Sequence, residues 1–201
     1  MSSLLPQDFY ARDALEVARD LLGKRIRHGK VELRITEVEA YRAEGDSANH
    51  CRMGRTARNA PMWGPPGHAY VYLCYGMHQM LNLVTDPEGR GAAVLIRSCE
   101  PLRGHAEVAA RRGGRTQPSS LAGPGKVGAA LAIDTGFSGQ ALFRPGGLSV
   151  LDGPVPEAIL VGPRVGIDYA DVRDREAPYR LALAGSPWVS QRRSLSLRKG
   201  R

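Results

Sequence analysis

The order of apolar and polar residues predicts short helices set between strands. Leu15, Ala18 and Leu22 recur at i, i+3 and i+7, with Ala14, Val17 and Leu21 beside them. That spacing puts them on one face of an α-helix over residues 11–22. Asp13 and Glu16 have the spacing of a capping box, and Gly23 is a stop signal. His28-Gly29-Lys30 reads as a turn into a strand over residues 31–41. If that strand is regular, Val31, Leu33, Ile35, Glu37 and Glu39 share one face, apolar at first and ending in two carboxylates.

Residues 42–68 are rich in Gly, Pro, Arg and Asn and show no period, so they read as a long loop. Long loops inside compact domains are often functional. Residues 69–75 and 79–85 are β-like and flank Gly76, which predicts a hairpin. A strand over 92–97, a helix over 102–112 and a polar segment over 113–120 follow. A short Ala-rich helix over 126–133 stands behind Gly123-Pro124-Gly125, and short strands are expected near 148–151, 159–162 and 180–184. Neither an internal repeat nor a linker divides the chain. The expectation is one α+β domain over residues 1–201, a mainly antiparallel curved sheet with a protruding hairpin and surrounding short helices.

Composition narrows the function. Twenty-four glycines and fourteen prolines among 201 residues exceed the roughly 12 % of average usage, in keeping with many turns and few long helices. Lys and Arg number 28 against 20 Asp and Glu, a net charge of +8 that points to an anionic partner, most simply nucleic acid. From residue 181 to 201 there is no acid, while Arg192, Arg193, Arg198, Lys199 and Arg201 are basic. This stretch reads either as a frayed terminus or as a loose phosphate-binding arm. Cys51, Cys74 and Cys99 form no C-x-x-C, which argues against a disulfide scaffold and a zinc site. The five histidines lack ligand spacing, so no metal is expected. Apolar runs such as 92–96 are too short to cross a bilayer, and residues 1–20 hold no apolar signal core. A cytoplasmic protein without membrane contact is the expectation.

Glu39 is the sharpest candidate for chemistry. A carboxylate at the end of an apolar strand, next to a long loop, is partly desolvated and suited to general-base work. The plainer reading is an ion pair with one of the many arginines, and Glu37 on the same face is a decoy. Phe, Tyr and Trp make up 6 % of the chain, yet Tyr41, Tyr70, Tyr72 and Tyr75 fall close together. Tyr70 and Tyr72 alternate onto one strand face, where core packing explains them as well as function does. Tyr75, beside Gly76 at a hairpin tip, is harder to assign to a core. An exposed ring on a basic protein can wedge between bases or stack on an extruded one. His50, with Arg52, Arg55, Arg58 and Asn59, marks a basic stretch able to hold phosphates, although a lone loop histidine is more often solvated surface. Arg97 ends an apolar strand, either as a functional buried charge or as the structural partner of an acid such as Glu37. Lys126 lies at a helix start where backbone N–H groups can bind an anion, but the spacing is not that of a P-loop.

These residues fall in an order that resembles a known family, the alkyladenine (3-methyladenine, or methylpurine) DNA glycosylases. The resemblance is carried by Glu37-Val38-Glu39-Ala40-Tyr41, Asp46-Ser47-Ala48-Asn49-His50, Arg58-Asn59, the run from Pro66 through Tyr75-Gly76-Met77, and Asn82. It continues through Val94-Leu95-Ile96-Arg97, Glu100-Pro101-Leu102, Gly123-Pro124-Gly125-Lys126, Arg164-Val165-Gly166-Ile167 and Gly185-Ser186-Pro187-Trp188-Val189-Ser190. It spans roughly residues 5–190, densest over 37–104, and the short N-terminal region is similar to the bacterial form.

The resemblance implies a role for each matching position. Glu39 would be the base that activates a water for attack on the sugar C1′, and Arg97 would help hold that water. Tyr41 would stack on one face of a flipped base, with His50 and Tyr72 on the other. His50 would also hydrogen-bond the base edge. Asn82 would crowd the place where guanine carries its 2-amino group. Tyr75, with Met77 beside it, would be the wedge that fills the duplex. The implied enzyme is a monomeric, cofactor-free, monofunctional glycosylase that acts on alkylated, and also deaminated, purines in duplex DNA. Two rivals are weighed against it. One is a bifunctional glycosylase/lyase with Lys126 as amine nucleophile. The other is a non-catalytic module that stacks single-stranded bases, in which Glu39 would have no task.

Overall fold

In the computed structural model, residues 3–199 are described. Helix α1 (Ala14–Leu21) begins where the Asp13 carboxylate accepts the Leu15 N–H at 2.9 Å. The cap thus forms through Leu15, and among the described residues Glu16 returns no bond to complete a reciprocal box. Strands β1 (Arg25–His28) and β2 (Val31–Tyr41) turn about Gly29. Strands β3 (Ala69–Cys74) and β4 (His78–Val84) make the expected hairpin. Then come β5 (Ala93–Arg103), α2 (His105–Arg111), α3 (Pro124–Leu131), β6 (Ser149–Leu151), β7 (Ala158–Gly162), α4 (Val172–Glu176), β8 (Arg180–Leu183) and β9 (Ser196–Lys199).

All nine strands join one antiparallel sheet, ordered β3-β4-β5-β2-β8-β7-β9, with β1 on β2 and β6 on β1. The sheet does not close, and with four short helices around it the α+β expectation holds. Strand β2 is the hub. One edge pairs with β5. The other is shared, Val31 to Arg34 facing β1 and Glu37 to Glu39 facing β8.

At this fork the ladder between β2 and β5 is interrupted twice. Ile35 pairs with Cys99, Glu37 with Ser98 and Val38 with Ile96, so Thr36 and Arg97 are each an extra, unpaired residue. A bulge shifts the alternation of side chains by one. Leu33 and Ile35 pack in the main core, and after the bulge so do Val38 and Ala40. Glu37 and Glu39 therefore lie on the opposite face from Leu33 and Ile35, and the single face expected for a regular strand is broken here.

Other differences have similarly local causes. Strand β5 runs to Arg103 because Pro101 and Arg103 still find partners in Leu33 and Glu32, and this delays α2 to His105. Helix α3 starts at Pro124, in the first turn, where a missing N–H costs nothing. The basic C-terminal stretch is neither frayed nor a loose arm up to residue 199. Ser196–Lys199 pairs along β7 as an antiparallel strand, while Arg201 lies outside the described residues.

The core lies where α1 packs on β2 and β5, and α3 on β4 and β5. Gly128 of α3 approaches so closely that a Cβ there would sit 2.2 Å from the Gln79 carbonyl oxygen. Only glycine lets α3 brace the hairpin from below. Cys51, Cys74 and Cys99 are free thiols. Among the described residues no helix is long and apolar enough to cross a membrane, and no group of three His, Cys, Asp or Glu residues is arranged to hold a metal ion.

The long segment after β2 is fastened by one buried ion pair. Asp46 takes two bonds from Arg164, at 2.6 and 2.7 Å, and also accepts the N–H groups of Arg42 and Ala48. Arg164 donates further to the Ala40 carbonyl at 2.8 Å. Removing one partner leaves the other charge buried and alone, so Asp46→Ala is expected to destabilise the fold by about 3–5 kcal/mol. Urea unfolding with an unchanged slope checks this, and a loss below about 1 kcal/mol, the range of an exposed pair, contradicts it.

Candidate active site

Residues directly opposite each other on neighbouring strands point to the same face. Tyr70 pairs with Asn82, Asn82 with Leu95, Leu95 with Glu39, and Glu39 with Arg180. These five side chains form one row across β3, β4, β5, β2 and β8, on the sheet face away from α1 and α3. With strands about 4.8 Å apart, Tyr70 and Glu39 stand about 14 Å apart along the row. The loop after β2 and the loop after β7 rise on either side and turn the row into a cleft of about 520 Å³. A small-molecule site has this size.

Of the eight residues to which the resemblance gives a role, six line this one cleft: Tyr41, His50, Tyr72, Tyr75, Asn82 and Arg97. Glu39 does not line it. The carboxylate is fully buried immediately behind the wall, and the groups that bond or pair with it belong to three wall residues. Its Oε2 accepts the Tyr41 hydroxyl at 2.9 Å, and its Oε1 accepts the Val165 N–H at 2.8 Å. Arg97 Nη1 lies 3.2 Å from the same Oε1. A carboxylate has about four acceptor positions; two hydrogen bonds fill two of them here, and Arg97 adds an ion-pair contact. The structural reading of Arg97, as the partner of Glu37, is met by its Nε, which bonds Glu37 at 3.2 Å. Burial alone would lower the Arg97 guanidinium, but Glu39 and then Glu37 outweigh burial and hold it above its ordinary value.

The aromatic wall is set by β3. Tyr70 and Tyr72, two residues apart on one face, have ring centroids 5.6 Å apart. The His50 ring meets Tyr72 edge-on at 4.7 Å, and its Nδ1 lies 3.3 Å from the Tyr70 hydroxyl. Burial, and after it Arg58 and Arg52, lower the His50 pKa, which favours the neutral ring. Burial raises Tyr70 to about 12 and pushes Tyr72 and Tyr41 up as well, Tyr41 with added repulsion from Glu39. All three phenols therefore remain hydrogen-bond donors near neutral pH.

The hairpin tip projects its side chains. Met77 N–H closes the turn on the Cys74 carbonyl at 3.1 Å, with Tyr75 at φ 50° and Gly76 at φ 69°. Positive φ at both central positions belongs to a type I′ turn, and it is uncommon for an aromatic residue. Tyr75 is 90 % exposed and Met77 70 %, so Tyr75 borders the cleft mouth and Met77 lies outside it. Lys126 ties its ammonium to the Ser119 carbonyl at 2.8 Å.

Several residues in the cleft and behind its wall have no role assigned from the sequence. Val165 supplies a backbone donor, for which no side chain gives a signal. Arg164 stands over the Tyr41 ring at 4.8 Å, and Asp46 neutralises it. Tyr169, on the loop after β7, lines the mouth under the Arg52 guanidinium at 4.9 Å. In the sequence, Arg164-Val165-Gly166-Ile167 carries the resemblance without an implied role.

Residues 8–187 match the family model described as methylpurine-DNA glycosylase. A Nitrosococcus oceani protein, provisionally named a 3-methyladenine DNA glycosylase, is 57 % identical over 199 residues, covering 99 % of each chain. The DNA-3-methyladenine glycosylase of Arabidopsis thaliana is 56 % identical over 189 residues, 93 % of this chain and 74 % of its own. A Methanocella arvoryzae protein with the same provisional name as the first is 47 % identical, over 94 % of this chain and 96 % of its own. With a family match over most of its length and relatives this similar, the chain belongs to the methylpurine-DNA glycosylase family and is a hydrolase of N-glycosyl bonds.

Proposed function

We propose that this glycosylase flips alkylated purines such as 3-methyladenine, and also deaminated purines, out of duplex DNA. It hydrolyses the N-glycosidic bond with a water activated by Glu39 and leaves an abasic site. The observation that carries the reading is the buried Glu39 carboxylate, which two hydrogen bonds and the Arg97 ion pair orient immediately behind the tyrosine-lined cleft.

A base inside a duplex is out of reach, and turning it out costs roughly a few kcal/mol. The exposed Tyr75 ring, on a turn that holds it away from the core, suits the space the base leaves, with Met77 beside it. The extruded base enters the cleft against Tyr41, His50 and Tyr72. Ring faces attract positive charge, which suits an alkylated, cationic purine. Asp46 cancels the charge of Arg164 behind the Tyr41 ring, so the inner face of that ring keeps its attraction. The neutral His50 adds no repulsion. Asn82, held to the Tyr70 and Met80 carbonyls at 3.2 Å each, is a fixed obstacle at the cleft floor.

In the chemical step the water oxygen forms a bond to C1′ and gives a proton to Glu39. The C1′–N bond breaks and its electron pair leaves with the base. A cationic purine departs neutral, so one base and one water suffice. Lys126 has no part in this scheme, and the product is an intact abasic site.

Glu39→Gln keeps the shape of the side chain but cannot take the proton. Excision under single-turnover conditions is expected to fall about 10²–10⁴-fold with DNA binding retained. Full activity in that variant removes the base assignment. Tyr75→Ala is expected to weaken flipping, reported by a fluorescent base analogue, about 5- to 100-fold, the scale of one lost base–aromatic stack. Unchanged flipping contradicts the wedge. Borohydride added during turnover is expected to trap no covalent protein–DNA adduct, since no imine forms, and an adduct lost in Lys126→Ala would establish the lyase rival.

A further inference from the structure

Glu37 belongs to the same buried charge cluster, yet the scheme above gives it no task. It is fully buried and does not line the cleft. Its carboxylate accepts the Ser190 N–H at 2.7 Å, the Ser190 hydroxyl at 2.8 Å, the Ser98 hydroxyl, and Arg97 Nε at 3.2 Å. The paired bulges make this possible, because they bring the successive residues Arg97 and Ser98 both to its side. Arg180, also fully buried, stands 3.6 Å away through Nη1. Its Nη2 is tied to the Gln191 carbonyl at 3.2 Å and the Ser194 hydroxyl at 2.8 Å. Two carboxylates and two guanidinium groups thus balance beneath the cleft, and the C-terminal segment closes over them.

Arg97 is shared between two acids. A guanidinium is a rigid planar fork, so a bond that fixes Nε also fixes where the Nη groups point. With Nε on Glu37, Arg97 meets Glu39 through Nη1, and Nη2 leans toward the Ser190 hydroxyl at 3.4 Å. Released from Glu37, the fork is free to turn onto Glu39 with two parallel donors, the geometry arginine prefers with a lone carboxylate. That would fill the acceptor position a water needs.

Resting on the assignment of Glu39 as base, we propose that Glu37, clamped by Ser190, is a positioning residue for the hydrolysis. It limits Arg97 to a single ion-pair contact with Glu39, through Nη1, and so leaves an acceptor position of the catalytic carboxylate for the nucleophilic water. Ser190 makes the C-terminal segment part of the catalytic support.

The test is single-turnover base release from a duplex carrying one methylated purine, measured for the wild type, Glu37→Gln, Ser190→Ala and Glu39→Gln. Binding to a duplex with an uncleavable abasic analogue and thermal unfolding are followed in parallel. Glu37→Gln is expected to lower the rate about 10- to 100-fold, the scale of a small misplacement, with binding within about threefold. Ser190→Ala should lower the rate about 3- to 10-fold with binding unchanged, the loss of one hydrogen bond to a charged group, and it decides the matter if Glu37→Gln does not fold. A rate within threefold of wild type, or a loss of rate matched by an equal loss of binding, overturns the positioning role. If Glu39→Gln is inactive while Glu37→Gln is fully active, this inference alone falls. If Glu39→Gln is active, the base assignment falls and takes this inference with it.

Discussion

The site depends on one guanidinium divided between two buried acids. Arg97 is an extra residue in β5, and Thr36 is its counterpart in β2. Without these two bulges the alternation of β2 would send Glu37 and Glu39 to the face that carries Leu33 and Ile35, into the apolar core. Unpaired charges there would cost far more than the fold can spare. The bulges instead turn both carboxylates to the cleft face, where Arg97, Arg180, Ser98, Ser190 and Val165 can satisfy them. The same irregularity that interrupts the ladder at the fork brings both carboxylates to the cleft side.

From that point the remaining geometry is sheet geometry. Cross-strand pairing places Tyr70, Asn82, Leu95, Glu39 and Arg180 in one row, so strand register sets the order of pocket, floor and carboxylate. The hairpin extends the pocket strands beyond the body of the protein and ends in an exposed ring. Helix α3 supports it through the close approach of Gly128 to Gln79. The loops that wall the cleft are bound to each other by Asp46 and Arg164, beneath the Tyr41 ring. A damaged base held against that wall would rest on a surface with a buried, neutralised ion pair behind it.

Much of this was legible in the sequence. Strand β2, the 69–84 hairpin and α1 follow from apolar periodicity and turn residues, and the clustering of Tyr41, His50, Tyr72, Tyr75, Asn82 and Arg97 followed from their matching order. Bulges were not legible, because alternation is read by assuming a regular strand, and an inserted residue leaves no mark in composition. A regular strand therefore puts Glu37 and Glu39 alike on the face of Leu33 and Ile35, which the structure does not. The Val165 N–H was invisible for a different reason, since every residue but proline has one. Asp46 and Arg164 are 118 positions apart, and only folding shows that they meet. The tail misled in the opposite sense. Its charge drew attention, while Ser196–Lys199 pairs through its backbone, which is indifferent to that charge.

The most direct test of the central claim is a crystal structure of the protein with a duplex carrying a methylated purine on a sugar that resists hydrolysis. The account predicts the purine between Tyr41 and the His50–Tyr72 wall, Tyr75 in the emptied stack, and a water bonded to Glu39 about 3–3.5 Å from C1′. A sugar carbon out of reach of any water held by Glu39, or a purine still stacked in the duplex with Tyr75 turned aside, would contradict it.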